Sequence, residues 1–103
     1  MKLSVGYITA PNKAEARKLA QALVEEKLVA CVNILPDAES YFEWDGEVTK
    51  QMEAVMIFKT REKNEEKIIK LVKSMHPYEC PCVVFLPIAS GNADFLKWVD
   101  QSC

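Results

Sequence analysis

Asp45-Gly46 stands between two extended runs, one from about Val29 to Trp44 and one from Glu47 to Thr60, and this pairing constrains the fold more than any other feature. Aspartate followed by glycine supplies the two positive-φ positions of a type I′ turn, whose twist matches that of paired strands. On the return arm Val48, Met52, Ala54, Met56 and Phe58 fall on one face, with Glu47, Thr49, Gln51 and Glu53 on the other, which is the period of a β-strand. Each arm holds about 14 residues and reaches over about 40 Å at roughly 3.3 Å per residue, whereas a domain of about 100 residues is only about 33 Å across. The hairpin tip is therefore expected to overhang its own domain. Tyr41, Phe42, Trp44 and Met52 ride on that overhang and need an apolar surface, for which another copy of the same chain is the simplest candidate.

The segments around the hairpin alternate strand and helix periods. Leu3 to Thr9 reads as a strand, stopped by Pro11, and Asn12 is placed to cap a helix with Glu15 at the capping-box position. From Lys13 to Lys27 the residues Ala16, Leu19, Ala20, Leu23 and Val24 recur at helical spacing. Val29 to Leu35 is a nearly continuous apolar run, as expected of a strand buried on both faces. A second amphipathic helix is expected from about Glu62 to Met75, ended by Pro77. Val83 to Leu86 reads as a short buried strand, and Ala93 to Gln101 as a terminal helix. The order β-α-β-β-α-β-α predicts a single α+β domain over residues 1–103: a four-stranded antiparallel sheet with two helices on one face, in the ferredoxin-like arrangement.

Composition narrows the function. Thirteen Lys and Arg against 15 Asp and Glu leave a net charge of −2, which lacks the basic surplus that phosphate binding needs, so no nucleic-acid partner is expected. Half of the residues are hydrophobic, and a chain this short buries only roughly 60–68% of its unfolded surface, so some apolar area should stay exposed unless a partner covers it. The longest uncharged stretch, Cys80 to Ala93, is broken by Pro81, Pro87 and Gly91 and predicts no membrane span. Met1 to Ala10 lacks a signal-cleavage pattern. Together with four cysteines too sparse for a disulfide scaffold, these features predict a cytoplasmic protein with reduced thiols.

The densest chemistry lies in Met75-His76-Pro77-Tyr78-Glu79-Cys80-Pro81-Cys82. A thioether, an imidazole and two thiols are ligand types of soft and borderline metals such as copper. Cys80 and Cys82 are one residue apart rather than two, so two alternatives stand together: a pair reaching one Cu(I) ion from an extended segment, and ordinary thiols. His76 is equally a helix-end residue stabilised by the dipole. Cys31 reads as packing within its strand. Lys59, near the end of an apolar strand, either snorkels to water or points a cation into a cleft, and Glu53 on the same strand is a possible partner. Three widely separated glycines provide no phosphate loop, and no nucleophile elbow or Cys-x-x-Cys is present, so an enzyme is not expected.

Thr9-Ala10-Pro11, Ala30-Cys31-Val32-Asn33-Ile34, Tyr41-Phe42-Glu43-Trp44-Asp45-Gly46, Glu53 through Met56 to Lys59-Thr60, His76-Pro77-Tyr78-Glu79-Cys80-Pro81, Leu86-Pro87-Ile88 and Phe95-Leu96-Lys97-Trp98 together resemble the CutA divalent-cation tolerance family along essentially the whole chain. The resemblance implies a homotrimer of ferredoxin-like protomers built like the PII signal transducers, with copper or another divalent cation as ligand and no obligatory cofactor. It places Lys59, Glu53, Tyr78 and Glu79 around clefts between protomers, where a PII-like small anion is the alternative ligand. The ligand positions proposed for bacterial relatives fall here on Ile8, Met75 and His76, so the metal candidates in this chain are His76, Met75, Cys80 and Cys82.

Overall fold

The computed structural model describes every residue from Met1 to Cys103. β1 (Leu3–Ala10) leads into α1 (Lys13–Glu25), and β2 (Cys31–Trp44) and β3 (Glu47–Arg61) form the hairpin. A 3-10 turn at Glu62–Asn64 opens α2 (Glu65–Met75), followed by β4 (Val83–Pro87) and α3 (Ala93–Ser102). The strands make one antiparallel sheet in the order β2-β3-β1-β4. This is the ferredoxin-like α+β fold expected from the element order. No helix is long and apolar enough to cross a membrane.

Local chemistry sets the element ends. Asn12 is extended and its Oδ1 accepts the Glu15 N–H at 2.9 Å, satisfying a donor that the first turn leaves free. Glu15 turns to Lys18 at 3.6 Å, so the second half of the capping box is not made. α1 stops at Glu25, short of Lys27, because Lys27 takes φ 56° and the Leu28 N–H reaches back to the Leu23 carbonyl, a left-handed helix ending. α2 ends at Met75, with His76 extended ahead of Pro77.

The hairpin turn has φ 50° at Asp45 and 81° at Gly46, with Trp44 paired to Glu47. The molecule measures 45 × 25 × 22 Å, its long axis beyond the span of an ordinary domain of this length. One feature of β2 was not legible in sequence: the register shifts between Leu35 and Ala38, and Asp37 takes φ 61°. This bulge at Pro36-Asp37 bends the arm where it leaves the body of the sheet.

The two faces of the sheet differ. Ile8, Met56 and Phe58 pack against Leu19 and Leu23 of α1 and Ile68 and Val72 of α2, and the Phe58 ring meets Phe85 edge-on at 5.8 Å. Gly6 lies opposite Phe58 in register, and its missing side chain is what leaves room for that ring. On the other face lie Tyr7, Ile57, Lys59, Asn33, Leu35, Val84 and Leu86, paired across the four strands. Leu35 is 47%, Val84 53% and Leu86 67% exposed. α3 engages this side at the Arg61 end of β3, where the guanidinium reaches Asp100 at 3.2 Å and the Cys103 carbonyl at 3.2 Å. The expectation that β2 and β4 are buried on both faces is therefore corrected: they are covered on one, and on the other Leu35, Val84 and Leu86 stand exposed.

Candidate functional site

The loop from His76 to Cys82 crosses the end of β1 and meets the middle of β3. His76 is 8% exposed. Its Nε2 lies 2.8 Å from the Thr9 carbonyl oxygen, and its Nδ1 lies 3.0 Å from the Tyr78 backbone N. A carbonyl only accepts and a backbone N–H only donates, so the ring must carry its proton on Nε2 and offer its lone pair at Nδ1 to Tyr78. Both nitrogens are thereby engaged in tying the loop to β1. Next along the loop, the Tyr78 hydroxyl donates to Glu53 Oε2 at 2.8 Å and accepts from Gln51 Nε2 at 2.9 Å, and the His76 and Tyr78 rings pack at 4.7 Å.

Burial is the main reason that the Tyr78 phenol is pushed up to about 12, and the hydrogen bond to Glu53 and its negative charge add to the shift. The Cys82 thiol, on an exposed residue, is raised as well, first by its partial burial and then by the charge of Glu53. Glu53 is thus the electrostatic centre of the segment. Because the tyrosine's folded value lies above its unfolded value near 10, the stability it adds is fully present below about pH 10 and is lost as pH rises through about 12. Wild type is expected to be more thermostable than Tyr78→Phe at pH 8, with the gap closing between about pH 10 and 12. Parallel melting curves across that range contradict the network.

The structure brings some of the expected residues together and separates others. Met75, Cys80 and Cys82 are exposed, as is Glu79, which makes no hydrogen bond or ion pair. No group of three or more His, Cys, Asp or Glu side chains is placed to hold a metal ion. Ile8, at the position of the relatives' proposed first-strand ligand, is wholly buried in the core. Lys59 and Glu53 are not partners. They sit six positions apart on β3, and the Lys59 ammonium donates to Asn33 Oδ1 at 3.0 Å on the open face, with Cys31 opposite it in register. Tyr41, Trp44 and Met52 are exposed along the hairpin, and Phe42 is 38% exposed.

Thr9, Gln51 and Asn33 were missed from sequence. Asn33 had a signal, being the one polar residue in Val29–Leu35. Thr9 acts through its backbone carbonyl, which no side-chain pattern reports.

A sheet of this order, with helices over one face and a hairpin longer than the body it leaves, defines a ferredoxin-like α+β protein whose residues of interest cluster between the α2–β4 loop and β3. The chain belongs to the CutA1 divalent ion tolerance protein family, whose pattern matches residues 4–102. It is 44% identical over 98 residues to the divalent-cation tolerance protein CutA of Thermus thermophilus, covering 95% of each chain. To the CutA homolog of Xenopus laevis it is 43% identical over 97 residues, covering 94% of this chain and 64% of that one. The crystal structure of CutA1 from Oryza sativa matches with a TM-score of 0.97 at 41% identity, over 99% of this chain and 94% of that one. Against plant and vertebrate relatives the chain spans 54% to 64% of their length.

Proposed function

We propose that the chain serves divalent-cation tolerance in the cytoplasm as a homotrimer that binds copper or a related soft ion weakly, through the exposed sulfur donors of Met75, Cys80 and Cys82. The observation that carries this reading is the division of labour within one loop: His76 is spent on structural bonds while the three sulfur-bearing side chains beside it stand in solvent. Thioether and thiolate ligands favour Cu(I). With no preassembled cluster, the donors must gather around the ion, which costs affinity and suits a responsive rather than a storage role. Self-association is supported by the open sheet face, where Leu35, Val84 and Leu86 stand exposed beside Tyr7, and by the apolar hairpin. Patches of this kind usually mark an interface.

Titration of the reduced protein with Cu(I) tests the metal reading. Cys80→Ser/Cys82→Ser is expected to weaken binding at least about tenfold. Affinity is expected to rise with pH, because the Cys82 thiol is held protonated by its surroundings and must lose its proton to coordinate. Unchanged binding in that double variant and in Met75→Leu removes this segment from consideration.

A second reading, a PII-like module that holds a small anion between protomers, is favoured by one observation: the Lys59 ammonium, held by Asn33, stands on the open face that also carries Leu35, Val84 and Leu86. Glu53 and Tyr78, bonded to each other elsewhere, drop out of that anion site. A thermal-shift comparison of metal ions with small anions separates the readings, since a ligand of the folded state raises the midpoint.

A further inference from the structure

Cys80 and Cys82 are both exposed, and both are free thiols. They sit in a segment with fixed ends and an unsupported middle. Tyr78 is held by its N–H on His76 Nδ1 and by its hydroxyl on Glu53, and Val83 is paired with Ile8 where β4 begins. Between these anchors Glu79, Cys80, Pro81 and Cys82 belong to no helix or strand, and their backbone makes no hydrogen bond. The segment can therefore adjust without giving up a bond.

Chain connectivity alone keeps the two sulfurs within reach of each other. Cα atoms two residues apart are separated by at most about 7 Å, and a disulfide spans about 4.4–6.8 Å between them. A residue before proline is steered to extended backbone, in which side chains two positions apart project to one side. Pro81 also has no N–H to lose when the segment shifts. The other two thiols are badly placed to compete. Cys31 lies on β2, three strands across the sheet from β4, which is over about 14 Å at roughly 4.8 Å per strand. Cys103 lies beside Arg61, which pairs with Leu3 at the end of β1 away from Ile8.

We propose that Cys80 and Cys82 form a thiol-disulfide exchange site that closes on small disulfides of the glutathione type. One cysteine thiolate attacks a sulfur of the small disulfide, forming a mixed disulfide and releasing one glutathione thiolate, which takes up a proton. The second cysteine, also as thiolate, attacks the protein sulfur of that bond, forms the Cys80–Cys82 bond and expels the second glutathione. The pair thus loses two electrons and two protons, and one small disulfide becomes two thiols. The second step is intramolecular over a one-residue tether, with an effective concentration on the order of millimolar or higher. An exposed bond closed in so small a ring is of the labile, reversible kind. Closure also takes both sulfurs from a metal ion, since the thiolate is the ligand; that consequence rests on the sulfur reading above, whereas the exchange does not.

The native full chain, reduced and then incubated with excess glutathione disulfide, is alkylated, digested with trypsin and analysed by mass spectrometry. Cys80 and Cys82 fall in one tryptic peptide, Ser74 to Lys97. That peptide is expected to lose two hydrogens and to hold no glutathione, and dithiothreitol is expected to restore both thiols. Cys80→Ser and Cys82→Ser are each expected to stop at one retained glutathione. The oxidised chain is expected to bind Cu(I) at least about tenfold more weakly than the reduced one; closure with unchanged Cu(I) affinity supports the exchange site and overturns the sulfur reading of the metal. Stable glutathione on the wild-type pair, a bond between two chains, or two thiols still open to alkylation would each overturn the proposal.

Discussion

Gly6→Ala is expected to destabilise the chain by about 2–4 kcal/mol, the range between ordinary overpacking and the loss of a core phenylalanine. A Cβ at Gly6 would fall on the ring of Phe58, well inside van der Waals contact with three of its carbons. That ring is wholly buried, packed among the residues that join the sheet to α1 and α2 and held edge-on to Phe85. It can escape the new methyl group only by leaving its place. Gly46→Ala is the control, since a Cβ there meets nothing within 4 Å and the penalty is only that of φ 81°, about 1–2 kcal/mol. Guanidinium unfolding of both variants measures the difference; a cost at Gly6 no larger than that at Gly46 would show that the core yields.

The second large effect is expected on the open face. In the isolated chain Val84 and Leu86 already face solvent, so Val84→Asp/Leu86→Asp should cost the protomer little. In the proposed trimer the same positions would carry carboxylates into a desolvated contact in each of three copies. An uncompensated buried charge costs about 3–5 kcal/mol, and the symmetry of a closed assembly repeats the cost in every interface. The double variant is expected to run as a folded single chain of 11.7 kDa with a retained circular dichroism spectrum. A variant that sediments at the wild-type mass contradicts this use of the face.

The fold was legible because its signals are local. Asn12 caps, Pro77 stops α2, and Asp45-Gly46 turns the hairpin, each by chemistry confined to a few residues. The runs Val29–Leu35 and Val83–Leu86 misled for an instructive reason. An unbroken apolar strand signals two covered faces, and within this chain Leu35, Val84 and Leu86 have a cover on only one side. The pattern records what the strands are built to meet, which the chain by itself does not supply. The apolar surplus therefore has two locations: the hairpin residues Tyr41, Trp44 and Met52, and the sheet face.

The candidate site was only half legible. The segment Met75–Cys82 stood out by residue type, but the hydrogen bonds of His76 to the Thr9 carbonyl and the Tyr78 N–H depend on where the backbone runs. Pairing Glu53 with Lys59 from their shared strand face ignored partners on a loop and on another strand. Tyr78 claims one and Asn33 the other. The bulge at Asp37 needs a register shift that no composition reports.

Sedimentation equilibrium of the wild-type chain at micromolar concentration tests the central claim most directly, because the open face, the apolar hairpin and the proposed clefts all require copies to associate. The account predicts a single species of about three times the 11.7 kDa chain mass. A stable species at the mass of one chain would contradict it.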